Sequence, residues 1–283
     1  MPAIVHSLEE LRGIRDTWAH AGESVALVPT MGSLHAGHRE LVREAISQAD
    51  RCVVSIFVNP LQFGTGEDFE SYPRSLAADE AFLGDTMVDV IFAPGVEDMY
   101  PEGVDAIPTI HAGPVGATFE GASRPGHFDG VLTVVKRLFD YVAPDVAVFG
   151  QKDAQQLFLI QHMVEQQHLG LRILAVETVR DADGIALSSR NALLSEAGRK
   201  QALALPQALL KAKHADTPDQ ACSVALAVLE DTPGVSVDYV EVVDPATFVT
   251  LVDPQKPQDA RLIVAVIIDG VRLIDNRLLH FGQ

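Results

Sequence analysis

Cysteine is scarce: Cys52 and Cys222 are the only two in 283 residues. Two thiols cannot staple a chain of this length, so its stability has to come from buried apolar surface, and both are expected to be reduced. Positive charge is also in short supply. Lys and Arg number 21 against 39 Asp and Glu, a net charge of −18. A field of that sign repels phosphate backbones and anionic lipid at long range, which argues against broad contact with nucleic acid or a membrane surface. It leaves room for a small anion, because a few local cations and backbone N–H groups override a global field. Long apolar runs are missing too: no window approaches 18 uninterrupted apolar residues, so no membrane-spanning helix is expected. The opening MPAIVHSLEELRG carries acids early and no apolar stretch typical of a secretory leader, so the expected location is cytoplasmic. Internal repeats and low-complexity tracts are absent.

What is present is an ordinary globular composition, 47% hydrophobic and 21% charged, in a chain long enough for two modest domains. Short apolar runs rich in β-branched residues recur at 24–29, 52–58, 88–93, 145–149 and 171–177. Runs of that kind suit strands buried on both faces, as in parallel sheets. Between them, 38–49, 75–86, 128–141 and 153–167 carry apolar residues at helical spacing. Alternating strand and helix predicts an α/β fold, a doubly wound, Rossmann-like parallel sheet, over residues 1–180. Ligands of such sheets bind beyond the carboxyl ends of the strands. From 181 to 283 the pattern changes to a smaller α+β domain: helices from Ser195 to about Ala212 and over 218–230, strands over 236–243, 261–268 and 271–274, and an Asp269-Gly270 hairpin turn.

The string Pro29-Thr30-Met31-Gly32-Ser33-Leu34-His35-Ala36-Gly37-His38 sits where the first of these strands turns into a helix. N–H groups at a helix start favour anions, and glycine lets a ligand approach the backbone. His35 and His38, three apart, share one face and can donate to charge developing on phosphorus. An arbitrary His-x-x-His is more often a solvated surface or a partial metal site; a strand-to-helix turn between two glycines favours the nucleotide reading. The turn has neither a Gly-x-Gly-x-x-Gly fingerprint nor a P-loop, so the site is of a different kind.

Other strings fall beyond later strands. Gln62, after Asn59-Pro60, offers a donor and an acceptor, although a single loop Gln is by default solvated. In Gly150-Gln151-Lys152-Asp153-Ala154-Gln155-Gln156, Lys152 can pair with phosphate, Asp153 can accept from ribose or simply cap the following helix, and Gln156 lies three positions after Asp153. Leu187-Ser188-Ser189-Arg190 brings two hydroxyls and a guanidinium suited to a phosphate tail, weak evidence taken alone. Arg124, in Glu120–Gly130, is equally suited to an anionic ligand or to a neighbouring acid; for Arg74 the structural role is favoured. No other histidine shows ligand spacing, and no metal-binding cluster is expected.

The His-x-Gly-His element resembles the nucleotidyltransferase superfamily, which includes class I aminoacyl-tRNA synthetases. The ten residues 29–38, with Phe57-Val58-Asn59-Pro60-Leu61-Gln62-Phe63, the 120–130 string, 150–156 and 187–190 in that order, resemble the pantothenate synthetase family over roughly residues 22–195. That resemblance implies ATP, pantoate and β-alanine as substrates, a pantoyl-adenylate intermediate, Mg²⁺ carried on the phosphates, and a homodimer. It implies that residues 31–38, Gly150, Gln151, Lys152, Asp153, Val179, Leu187, Ser188, Ser189 and Arg190 bind the nucleotide. It also implies that Gln62 and Gln156 bind pantoate, and that His38, as general acid, with His35 and Lys152 does the chemistry. The family usually has Gly-Glu-Lys-Asp where this chain has Gln151, which removes one negative charge beside the nucleotide. Since an adenylate must be kept from water, closure of the small domain or of a loop near 64–74 is expected. The competing expectations are a related nucleotidyltransferase acting on a phosphorylated acceptor and a non-catalytic nucleotide-binding protein.

Overall fold

A computed structural model describes residues 1–64, 69, 70, 72, 74–252, 254 and 256–282. Most of the interior of the 64–74 loop expected to close (65–68, 71 and 73) lies outside the described residues. The chain divides into two compact units, Met1–Gln151 with Leu159–Val176, and Lys152–Phe158 with Glu177–Gln283. Residues 152–158 thus group with the C-terminal unit, although they fall within the 1–180 stretch read from sequence as the first domain.

The first unit is a six-stranded, all-parallel sheet. Its strands are β1 (Ala3–Val5), β2 (Val25–Thr30), β3 (Arg51–Ile56), β4 (Val90–Phe92), β5 (Val146–Gly150) and β6 (Arg172–Val176), in the order β1-β4-β3-β2-β5-β6. The helices are α1 (Leu8–Ala21), α2 (Ala36–Gln48), α3 (Leu76–Leu83), the short α4 (Val96–Met99) and α5 (Glu120–Ser123), α6 (His127–Val142) and α7 (Ala154–Gln166), whose first turns belong to the second unit. Val25–Val28, Val53, Val54 and Val146–Val148 are sealed from solvent, as expected of central strands covered on both faces. Each such aliphatic side chain contributes roughly 1.5–3 kcal/mol relative to exposure.

The expected doubly wound arrangement is present, with one addition. The sequence pattern does not reveal β1 and α1, which add an edge strand beside β4. Helix α1 is well capped: Ser7 Oγ accepts from Glu10 N–H at 3.2 Å and the Glu10 carboxylate accepts from Ser7 N–H at 3.1 Å. The strand order reverses direction at β2, which has β3 on one side and β5 on the other. The register pairs Ala26 with Val146 and Leu27 with Ala147; carried forward, it sets Gly150 level with Thr30. The loops leaving β2 and β5 therefore flank the topological switch point, where α/β sheets bind ligands.

The second unit is an antiparallel meander, β7 (Ser236–Val243), β8 (Gln258–Ile268) and β9 (Val271–Phe281), with α8 (Glu196–Ala202), α9 (Ala204–Ala212) and α10 (Pro218–Glu230). Its core includes Leu205, Leu209, Leu229, Leu262, Val264 and Phe281. Asp269 and Gly270 have φ of 54° and 75°, the left-handed pair that a two-residue hairpin turn needs. The expected single helix from Ser195 to Ala212 breaks at Leu203, whose N–H folds back on Lys200. Strand β9 runs to Phe281, seven residues past its expected end.

Candidate active site

The turn after β2 is built to hold two imidazoles. His35 is the N-cap of α2 and His38 its third helical residue. Gly37 N–H donates to His35 Nδ1 at 3.1 Å, and His35 N–H donates to His38 Nδ1 at 3.2 Å. A backbone N–H only donates, so both Nδ1 atoms accept, and each neutral ring carries its proton on Nε2. The ring centroids lie 4.1 Å apart. The turn thus fixes the position and the tautomer of both rings.

The loop that aims them is fastened by Asp79 of α3. Only 4% exposed, its carboxylate accepts from Ser33 N–H at 3.0 Å and Leu34 N–H at 2.7 Å. Gly32 has φ +81°, and a Cβ there would lie 2.8 Å from Asp79 Oδ2; the position needs glycine for both reasons. Loop N–H groups expected to face an anion from Ser33 and Leu34 are thereby satisfied within the protein. Asp79 does not stand out in the sequence. It sits in a helical pattern 45 or more residues from its partners, and nothing local marks it.

The turn after β3 carries Gln62. Asn59 is 1% exposed; its Oδ1 accepts from Tyr100 Oη at 2.7 Å and Leu61 N–H at 3.2 Å, and its Nδ2 donates to Gln62 Oε1 at 3.2 Å and Gly130 O at 3.1 Å. The Gln62 side-chain NH₂ in turn contacts Met31 Sδ at 2.9 Å. The Gln62 side chain thus uses both its oxygen and its NH₂, each with capacity for one further partner. His127 donates from Nδ1 to Gln62 O at 2.8 Å and accepts at Nε2 from Arg124 at 3.0 Å. Arg124 is also 3.9 Å from Glu120, so it buttresses the Gln62 turn and meets an acid as well. Arg74 wraps its own loop, donating to Phe69 O at 2.6 Å and Glu70 O at 3.2 Å.

In the second unit, the Asp153 carbonyl accepts from Leu157 N–H at 2.9 Å, which puts Asp153 at the helix-capping position ahead of α7, with Gln156 half-buried on its first turn. Residues 179–187 form a small hairpin. Leu187 N–H donates to Val179 O at 2.9 Å, and Arg180 bridges Ala186. Ser188 caps the 3₁₀ turn Ser189–Leu193, its Oγ accepting from Arg190 N–H at 3.3 Å. The hairpin is tied to β9 through Arg180 and the buried Asp275, at 2.6 and 2.9 Å, a pairing that raises the guanidinium pKa further. Asn276 Nδ2 donates to Lys152 O at 2.9 Å. Neither Asp275 nor Asn276 is marked by any sequence motif.

The first unit therefore joins residues 31–38 to Gln62, with Gly150 level with Thr30. The second ties Lys152 and the hairpin leading to Ser188–Arg190 to one strand. Among the described residues, no group of three or more His, Cys, Asp or Glu is placed to hold a metal ion, and no helix is long and apolar enough to cross a membrane. Burial raises the Cys52 thiol to about 12 and the Cys222 thiol to about 11, so neither is an activated nucleophile.

Comparisons with known proteins point to one family. The family model for pantoate–β-alanine ligase matches residues 3–278. The pantothenate synthetase of Acidothermus cellulolyticus is 49% identical over 281 residues, covering 97% of this chain and 91% of its own. The crystal structure of pantothenate synthetase from Thermus thermophilus superposes with a TM-score of 0.90 at 44% identity, covering 97% and 98% of the two chains. Pantoate–β-alanine ligase from Francisella tularensis, crystallised with β,γ-ATP and β-alanine, has a TM-score of 0.81 at 32% identity over 98% of each chain.

Proposed function

The chain belongs to the pantoate–β-alanine ligase family, and on that premise we propose how its residues drive the reaction. The enzyme is an ATP-dependent ligase that condenses pantoate with β-alanine to pantothenate. The proposed route has two steps. A pantoate carboxylate oxygen attacks the α-phosphorus of ATP, and the bond to pyrophosphate breaks. The β-alanine amine then attacks the acyl carbon of pantoyl adenylate, loses a proton and expels AMP.

The observation that carries this reading is the pair of imidazoles locked as Nε2–H donors at the switch point of the sheet. A neutral donor fixed in place stabilises charge on phosphate oxygens without reorganising during the reaction. His38 acts at the leaving pyrophosphate by donating from Nε2. Lys152 supplies a point charge, Ser188 and Ser189 hydroxyl donors, and Arg190 a bidentate fork for the triphosphate. Gly150, Gln151, Asp153, Val179 and Leu187 line the nucleotide. Gln62 and Gln156 hold pantoate. With no activated thiol to form an acyl-enzyme, rate comes from alignment, which can supply roughly 7–11 kcal/mol, and from fixed dipoles.

Mg²⁺ fits this donor set only as a companion of ATP, bound by phosphate oxygens and water, where it would neutralise phosphate charge. A homodimer, which rests on family resemblance, and a cytoplasmic setting complete the reading; light scattering of the purified protein tests the first.

The decisive experiment is pantoate-dependent exchange of labelled pyrophosphate into ATP without β-alanine. Exchange is expected, and its absence defeats the stepwise scheme. H38A should lose exchange while melting close to the parent.

A further inference from the structure

We propose that Asn276, on β9, is a positioning residue for adenylation, acting through Lys152. The inference rests on the role given above to Lys152.

Lys152 lies between the end of β5 and the start of α7, a stretch with no ladder or helix of its own to fix it. Its carbonyl is held by Asn276 Nδ2 at 2.9 Å, across 124 positions of sequence. The orientation of the Asn276 amide is not open to a flip. Arg261 Nη1 donates to Asn276 Oδ1 at 2.5 Å, and a guanidinium has only donors, so the atom facing it must be the oxygen. The NH₂ is thereby turned to the Lys152 carbonyl, which only accepts. Asn276 is 5% exposed, so water does not compete for either bond, and leaving either partner unmet is costly.

The neighbouring residue makes the same strand serve the second nucleotide loop. Asp275 takes both Nη atoms of Arg180, and Arg180 Nη1 also donates to Gly184 O at 3.0 Å. Ser188, Ser189 and Arg190 follow directly from the hairpin so fixed. Adjacent strand residues face opposite sides of a sheet, so β9 anchors one loop from each face and keeps Lys152 in fixed relation to the Ser188–Arg190 loop. This gives a physical reason why Lys152–Phe158 groups with the C-terminal unit.

The test is a double-mutant cycle read in pantoate-dependent pyrophosphate exchange, with K152A, N276A, N276D and each double variant, and with thermal melts of all. N276A is expected to lower kcat/KM for ATP roughly 10- to 100-fold, the usual cost of misplacing a catalytic group. N276D keeps an acceptor for Arg261 but offers no donor to the Lys152 carbonyl. Held by Arg261, it should fold but melt below the parent because the Lys152 carbonyl is left unmet, and be impaired like N276A; assayed well below its melting temperature, it carries the test alone if N276A fails to fold. In the K152A background, either change should cost less than about threefold, because the group it positions is gone. Full losses that multiply with that of K152A, or Asn276 variants within about threefold of the parent, overturn the proposal. If K152A itself is unimpaired, the role of Lys152 fails instead, and the two failures are separated.

Discussion

Replacing Asp79 with Asn tests whether a carboxylate on a helix sets the histidine turn. In the parent, the two carboxylate oxygens accept from Ser33 and Leu34 N–H at 3.0 and 2.7 Å. An amide has one oxygen. It can keep one bond, now without charge assistance, while its NH₂ is driven against the other N–H, donor facing donor. At 4% exposure, neither solvent nor salt relieves the mismatch. One charge-assisted bond lost and one buried donor left unmet amount to about 3 kcal/mol after some relaxation of the loop. For a unit of this size that lowers Tm by roughly 6–12 °C. Leu34 is followed at once by His35, so the same displacement should lower pyrophosphate exchange more than about 10-fold. The assays are circular-dichroism melts and pantoate-dependent exchange. A D79N protein that melts within about 2 °C of the parent and keeps most of its exchange would show that Asp79 neither fastens the turn nor matters to the histidines.

Gly130→Ala should raise the KM for pantoate and leave that for ATP nearly unchanged. The added Cβ would lie 2.1 Å from Leu61 O and 2.7 Å from Gln62 N, backbone atoms that cannot swing away. The Gln62 turn must therefore shift, at about 1–3 kcal/mol of overpacking, and an unaltered pantoate KM would count against the role of Gln62. The cysteines predict a pH effect. Burial raises Cys52 from 9.0 to about 12, so the native state holds that proton more tightly than the unfolded chain. The stabilisation is complete below 9.0 and is lost as pH climbs toward about 12. Accordingly, Cys52 should resist an aromatic disulfide reagent at about pH 8 until denaturant is added; rapid labelling of the native protein would refute this.

The central strands were legible because burial on both faces leaves an apolar run that needs no partner to be recognised. The residues proposed to face ligand stood out for a similar reason: 29–38, 150–156 and 187–190 are contiguous strings, each beyond a strand or in a loop. β1 escapes such a reading because Ala3–Val5 is too short to form a run, and α1 went unread with it although Ser7 and Glu10 cap its start in the structure. The end of β9 escapes it because Asp275, Asn276 and Arg277 interrupt its apolar pattern, and polar residues in sequence read as loop. Those same residues include the anchors of Lys152 and Arg180, at separations of 124 and 95. Asp79 and Asn59 are alike in this: each is a buried polar side chain whose burial is sustainable only through partners supplied elsewhere in the chain.

The division has a physical cause. A group that touches substrate must project from a chain end or loop, and the chain around it is shaped locally by turns and glycines. A group that holds it in place has to be dry, and a dry polar group in an interior strand or helix looks, along the sequence, like a flaw in the pattern. Interruptions of otherwise apolar strands and helices by Asp or Asn are therefore where positioning residues are to be sought. In this enzyme that rule leads to Asp79 beneath the histidine turn and to Asn276 behind Lys152, one in each unit. If both variants left adenylation intact, buried polar groups in this fold would serve stability alone.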